Sequence, residues 1–178
     1  MAKQTVKVNR APVLTLWAAV VAEELGYDRD AALTLGKAVA GLNAQSKGRM
    51  LGIFGQPKPA ERGGPPKKAG LGEDFWIEIC SRPVPAKNTP DGIRAVIKDK
   101  PIDPVGVQRY LETKFGENLA LVRQVMEQLA RAFKGKALAD VAYGLYEQFR
   151  PRIASGKRGW GQQGDLDLEL MRSLGEKA

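Results

Sequence analysis

Residues 156–161 read GKRGWG, and they concentrate groups suited to one kind of chemistry. Glycines at 156, 159, 161 and 164 let backbone N–H groups approach an anion, Lys157 and Arg158 add positive charge, and Trp160 offers a flat ring. A nucleic-acid base stacked on such a ring gains on the order of 1–3 kcal/mol. The pattern is not the phosphate loop of nucleotide hydrolases, since no Ser or Thr follows the Gly-Lys pair and no strand is expected before it. Nor does it match the dinucleotide fingerprint. A structural role competes, in which Trp160 folds back on the core and the glycines serve only as turn residues.

The wider setting favours anion contact. Residues 150–164 carry a formal charge of +4 and residues 47–68 carry +5, against +8 for the whole chain, so everything else sums to 8 − 9 = −1. Clustered cations without nearby acids are the footprint of a protein that meets phosphates, because contact with a polyanion releases its condensed counterions. The residues expected to do this are Lys47, Arg49, Lys67, Lys68, Arg150, Arg152, Lys157 and Arg158, with Trp160 as stacker or wedge. The partner expected is DNA, held mainly through its backbone. RNA suits the same residues, since basic loops and an aromatic ring also fit single strands.

Blander readings stand beside this one. Lys47 and Arg49 flank Gly48 just past a helix, where cations offset the helix dipole and Gly terminates. Lys58, Arg62, Lys67 and Lys68 can serve as a solvated tether. A module that binds an acidic protein partner would use the same charges.

Catalysis finds little support. The chain has no histidine, which removes the commonest zinc ligand and the commonest general base near neutral pH. The single cysteine, Cys80, rules out an internal disulfide and has no imidazole to activate it; it reads as a small apolar filler. Residues 165–170, DLDLEL, allow two readings. As a strand they would align Asp165, Asp167 and Glu169 as ligands for Mg²⁺ or Mn²⁺, serving a phosphodiesterase. As a helix, Asp165 caps it and Leu166, Leu170 and Leu174 share a face, and this is preferred. No enzyme activity, cofactor or metal is expected.

The elements that must carry these groups follow from periodicity. Ala11 to Leu25 is nearly all apolar, with Pro12 in its first turn and Gly26 after its end, the pattern of a buried helix. Asp28 caps a second helix from Arg29 or Asp30, rich in Ala and Gly. The pair resembles a helix-turn-helix only superficially, because the second helix offers too few polar side chains to read bases. Its exit, from Asn43 through Gln45 and Ser46, is polar.

Residues 55–73 read as a flexible basic linker. Strands are expected at Phe75–Cys80 and Ile93–Lys98, with prolines between them forbidding regular pairing. The exposed face of this hairpin is expected to show Arg82, Lys87, Arg94 and Lys98. Further helices are expected from Pro104 to Gly116 after an Asp103 cap, from an Asn118 cap to Gly135, from Ala137 to Phe149, and from Asp165 onward.

The fold expected is therefore mainly α with one β-hairpin (α+β), about six helices in a compact bundle-like domain with basic Gly/Pro-rich loops. One domain over 1–178 is expected, with subdomains 1–54 and 74–178 as an alternative division. The apolar run at Val13–Ala22 is too short to span a bilayer, so a cytoplasmic protein of bacterial type is the expected setting.

Overall fold

In the computed structural model the described residues are 5–45, 74–80, 82–97, 100–133, 136–151 and 163–176. Their order is β1 (Thr5–Asn9), α1 (Arg10–Glu24), α2 (Arg29–Gln45), β2 (Asp74–Ile79), β3 (Arg82–Thr89), β4 (Gly92–Ile97), β5 (Lys100–Pro101) and α3 (Pro104–Phe115). A 3₁₀ turn at Gly116–Asn118 leads to α4 (Leu119–Ala132), α5 (Lys136–Phe149), β6 (Gln163–Asp167) and α6 (Leu168–Glu176).

The architecture is mixed α+β with two small antiparallel sheets, where one hairpin was expected. β2, β3, β4 and β5 form a four-stranded sheet in sequence order, and β1 pairs with β6. Proline did not keep residues 82–89 out of the sheet. Pro83 and Pro85 pair only with β2, because β4 covers β3 from Ala86 onward. On that side the prolines lie at a sheet edge, where a residue without an N–H is tolerated.

The acidic stretch divides between both readings. Residues 163–167 are a strand because β1 offers a ladder, Val6 facing Leu166 and Lys7 facing Asp165. Leu166 and Leu168 then point inward, and Asp167, not Asp165, starts α6 by accepting the Leu170 N–H at 3.1 Å. The apolar stripe of α6 is Leu168, Met171 and Leu174.

α1 organises the core. Every residue from Pro12 to Ala22 is buried, so the helix has no solvent face. Its one indole, Trp17, is wholly buried and donates from Nε1 to the Ala142 carbonyl of α5 at 2.9 Å. Its ring meets Phe149 edge-on at 5.2 Å. One apolar cluster runs from Val6 of β1 to Leu174 of α6.

α2 lies against α1 at backbone contact distance. A Cβ added to Gly36 would fall on the Thr15 carbonyl oxygen and sit 3.1 Å from the Ala19 nitrogen. The cap expected at Asp28 is present, its Oδ1 accepting from the Ala31 N–H at 2.8 Å. Asp103 caps α3 likewise, accepting from Val105 at 3.0 Å. Asn118 does not cap α4: the 3₁₀ turn delivers it in helical conformation, φ −84° and ψ −7°, with no side-chain cap bond.

α2 is tied to the sheet by Thr34. Its buried hydroxyl donates to Ala31 O at 2.8 Å and accepts the Ala95 N–H of β4 at 3.0 Å. The Ala95 carbonyl in turn accepts from Ile102 at 2.9 Å.

Two stability outcomes follow. Gly36→Ala forces the helices apart and lowers the unfolding free energy by about 3 kcal/mol, read from urea denaturation. Thr34→Val orphans a buried amide and costs roughly 1–3 kcal/mol, whereas Thr15→Val, which loses only a bond to the carbonyl of Ala11 within the same helix, costs less.

Candidate nucleic-acid interface

Of the cations expected to meet phosphate, Arg150 lies among the described residues; Lys47, Arg49, Lys67, Lys68, Arg152, Lys157 and Arg158, with Trp160, lie outside them. The linker expected at 55–73 lies outside them too. What the structure provides is the frame from which both basic stretches depart.

The second stretch is anchored at both ends by the start of α1. Arg10 Nε donates to the Pro151 carbonyl at 3.1 Å, and Gln163 pairs with Asn9 at the far end of the β1–β6 ribbon. Pro151 and Gln163 thus sit beside two consecutive residues, Arg10 and Asn9.

The first stretch departs from the same pole. α1 and α2 are joined by only Leu25–Asp28 and pack with Gly36 against Thr15 and Ala19, so they run antiparallel. At about 1.5 Å per residue, Gln45 lies about 13 Å beyond Gly36, and Arg10 lies about 8–14 Å from the facing residues of α1 in that direction. Gln45 therefore ends α2 at the end of the hairpin that holds Arg10, Arg150 and Pro151.

Arg10 was not singled out by the sequence reading. It is the first residue of α1, and no acid lies in that first turn. A cation there opposes the helix dipole, a mismatch that could have drawn attention to it. Burial, and then the charge of Arg150, hold its guanidinium below the usual arginine range.

Tyr146 completes the pole. Its side chain is wholly buried beside Tyr143, 5.8 Å between centroids, and Phe149, 6.0 Å. Among the described residues its hydroxyl has no hydrogen-bond partner. Burial pushes that hydroxyl's pKa well up, with Arg150 and Arg10 opposing, so it stays a donor. The Arg150 amide donates to the Tyr146 carbonyl at 2.7 Å, fixing the last turn of α5 beneath the cluster.

Other candidates are placed elsewhere. Arg94, expected on an exposed face, is buried at 7% exposure and bonds to the Ile93 and Asp91 carbonyls at 2.8 and 3.1 Å, with Asp30 3.8 Å away. The clean alternation expected there fails because α2 covers β4, burying Arg94, Ala95 and Val96 together. Lys87, opposite Arg94 in the ladder, is half-buried, and the side chains of Arg82 and Lys98 lie outside the description. Lys37 sits 4.5 Å and Lys114 5.9 Å from the Tyr110 ring centroid, each engaged with the aromatic face.

The acids are dispersed. Asp165 pairs with Lys7 at 3.0 Å, Glu169 with Arg172 at 2.9 Å, and Asp167 caps α6. Among the described residues no group of three His, Cys, Asp or Glu could hold a metal ion. Cys80 is buried at the end of β2 with φ +50°. Among the described residues no helix is long and apolar enough to cross a membrane.

No protein-family model, characterised protein or solved structure matches this chain.

Proposed function

We propose that the protein binds nucleic acid, duplex DNA first, through the phosphate backbone, using the basic stretches that leave the α1 pole. Lys47, Arg49, Lys67, Lys68, Arg150, Arg152, Lys157 and Arg158 supply the charge, and Trp160 a stacking face. The observation that carries this reading is that residues 150–164 are rooted at both ends on Asn9 and Arg10, the pole toward which α2 also runs. The described ends of two segments about a hundred positions apart, Gln45 for the first and Pro151 and Gln163 for the second, thereby lie toward one pole, and the charge of the chain outside the two basic stretches is −1. Fields from such a cluster add, whereas scattered charges are screened separately.

A protein partner has less behind it. The large apolar side chains exposed among the described residues are Ile97 at 49% and Val105 at 57%, too little surface for a docking face. The dispersed acids likewise lend a metal-dependent phosphodiesterase no support.

Fluorescence anisotropy with a mixed-sequence duplex tests the proposal. Affinity falls by at least about a hundredfold between 50 and 200 mM salt, since each engaged cation contributes about −0.9 to the log–log slope. Replacing Lys157 and Arg158 together by Ala reduces that slope by roughly 2 while leaving thermal stability unchanged. Absence of binding at low salt would end the proposal, and an unaltered slope in the double variant would move the contacts off this loop.

A further inference from the structure

Two lysines from different helices converge on one aromatic ring. The Lys37 ammonium of α2 lies 4.5 Å from the Tyr110 ring centroid, and that of Lys114, one turn along α3 from Tyr110, lies 5.9 Å from it. The two charges are therefore no more than about 10 Å apart, close to one screening length at physiological salt, and their fields add. From Ala31 to Ala40 every residue of α2 except Lys37 is buried, so the helix opens to solvent where this contact forms.

What holds these cations differs from what holds others on the body. Arg123 and Arg131 meet the carboxylates of Glu23 and Glu24, which cancel their charge. A phenol ring attracts an ammonium through its quadrupole and carries no net charge, so it fixes the position and leaves the charge in place. Burial pushes the Tyr110 hydroxyl's pKa up, and no phenolate forms there to offset the lysines. The acids of both helices are engaged elsewhere or absent. α2 has no Asp or Glu between Ala31 and Gln45, and Asp30 lies 3.8 Å from Arg94. On α3, Asp103 caps the first turn and Glu112 accepts from Gln108 Nε2 at 3.2 Å. Among the described residues neither lysine makes an ion pair.

This flank runs on toward the pole. α3 packs against α2 and β1. Gly41, one turn beyond Lys37 on the same side of α2, is exposed, and a Cβ built on it would meet nothing within 4 Å. From Lys37 to Gln45 the helix rises about 12 Å. One DNA strand advances about 3.4 Å per phosphate, so that rise matches about three or four phosphates.

We propose that Lys37 and Lys114, held on the Tyr110 ring, form a second contact to the phosphate backbone of duplex DNA, on the flank of the α1–α2 hairpin. The inference rests on the nucleic-acid reading above and extends its interface from the basic stretches onto the folded body. Because the ring already orders both side chains, less rotamer freedom is lost when a phosphate arrives.

Anisotropy titrations of the full chain with the mixed-sequence duplex, repeated from 50 to 200 mM salt, test it. Lys37→Gln combined with Lys114→Gln makes the log–log salt slope shallower by roughly 2, whereas Arg at both positions keeps the native slope. Tyr110→Leu keeps both charges and hence the slope, but binds several-fold more weakly because the lysines must be ordered on binding. Thermal unfolding of each variant confirms that it is folded; should Tyr110→Leu not fold, the Gln and Arg pairs decide.

A native slope in the folded Gln pair overturns the inference, and if Lys157→Ala with Arg158→Ala still lowers the slope, the loop contacts survive it. The opposite pattern, a shallower slope in the Gln pair and a native one in the loop variant, supports the flank and removes the loop. A native chain that binds no duplex at 50 mM salt overturns both.

Discussion

A helix with no solvent face is the constraint from which the rest of this fold follows. α1 buries all of Pro12–Ala22, including Val13, Leu14, Leu16, Val20 and Val21 at 1% exposure or less. Full burial of each such aliphatic side chain is worth about 1.5–3 kcal/mol, but only if neighbours cover the whole circumference. α2 covers one side and can do so only because Gly36 has no Cβ to strike the Thr15 carbonyl. α5 covers another and fixes its own height on α1 through the Trp17 indole bond to Ala142. α4 approaches near the C-terminal end, where Arg123 meets Glu23 and Arg131 meets Glu24.

Covering α1 on every side also determines where the chain must leave it. β1 enters at Asn9 and β6 pairs beside it, so the two strands form a ribbon that closes the structure between positions 158 residues apart, as at Lys7 and Asp165. α5 ends at Phe149 under the same pole because Phe149 packs edge-on against Trp17 of α1. The candidate site is thus assembled from the places where segments enter and leave the central helix. That is why one residue, Arg10, can hold the base of the second basic stretch.

Much of this was legible in the residues and some was not. The helices of α1, α2, α3, α4 and α5 announce themselves through apolar spacing and through Asp28 and Asp103, whose cap bonds are local. β1 and β6 do not. Each is five residues long and finds its partner at the opposite end of the chain, so local periodicity favoured a helix for residues 165–167 until the Val6–Leu166 ladder is known. β3 was hidden by prolines whose harmlessness depends on where β4 stops pairing. Arg94 looked like a surface cation because its strand alternates, but α2 packs over that strand and turns the residue into a clamp on the Asp91 turn. At the site, Arg150 was visible as charge. Tyr146 was invisible because a helical stripe gives burial without telling which polar tips stay unpartnered.

The pairing of charges in the body bears on what its field can do. Lys7, Arg29, Arg94, Arg123, Arg131 and Arg172 each have an acid within 4 Å, so their fields are largely cancelled at a distance. Arg10 is not treated this way: among the described residues no acid pairs with it, and burial, then the charge of Arg150, hold its guanidinium below the usual arginine range. At physiological ionic strength, charges more than about 8–10 Å apart act nearly independently. A polyanion is therefore drawn most strongly where neighbouring cations lie within that distance without local acids. Among the described residues, the start of α1 meets that condition at Arg10, which feels the charge of Arg150 and pairs with no described acid.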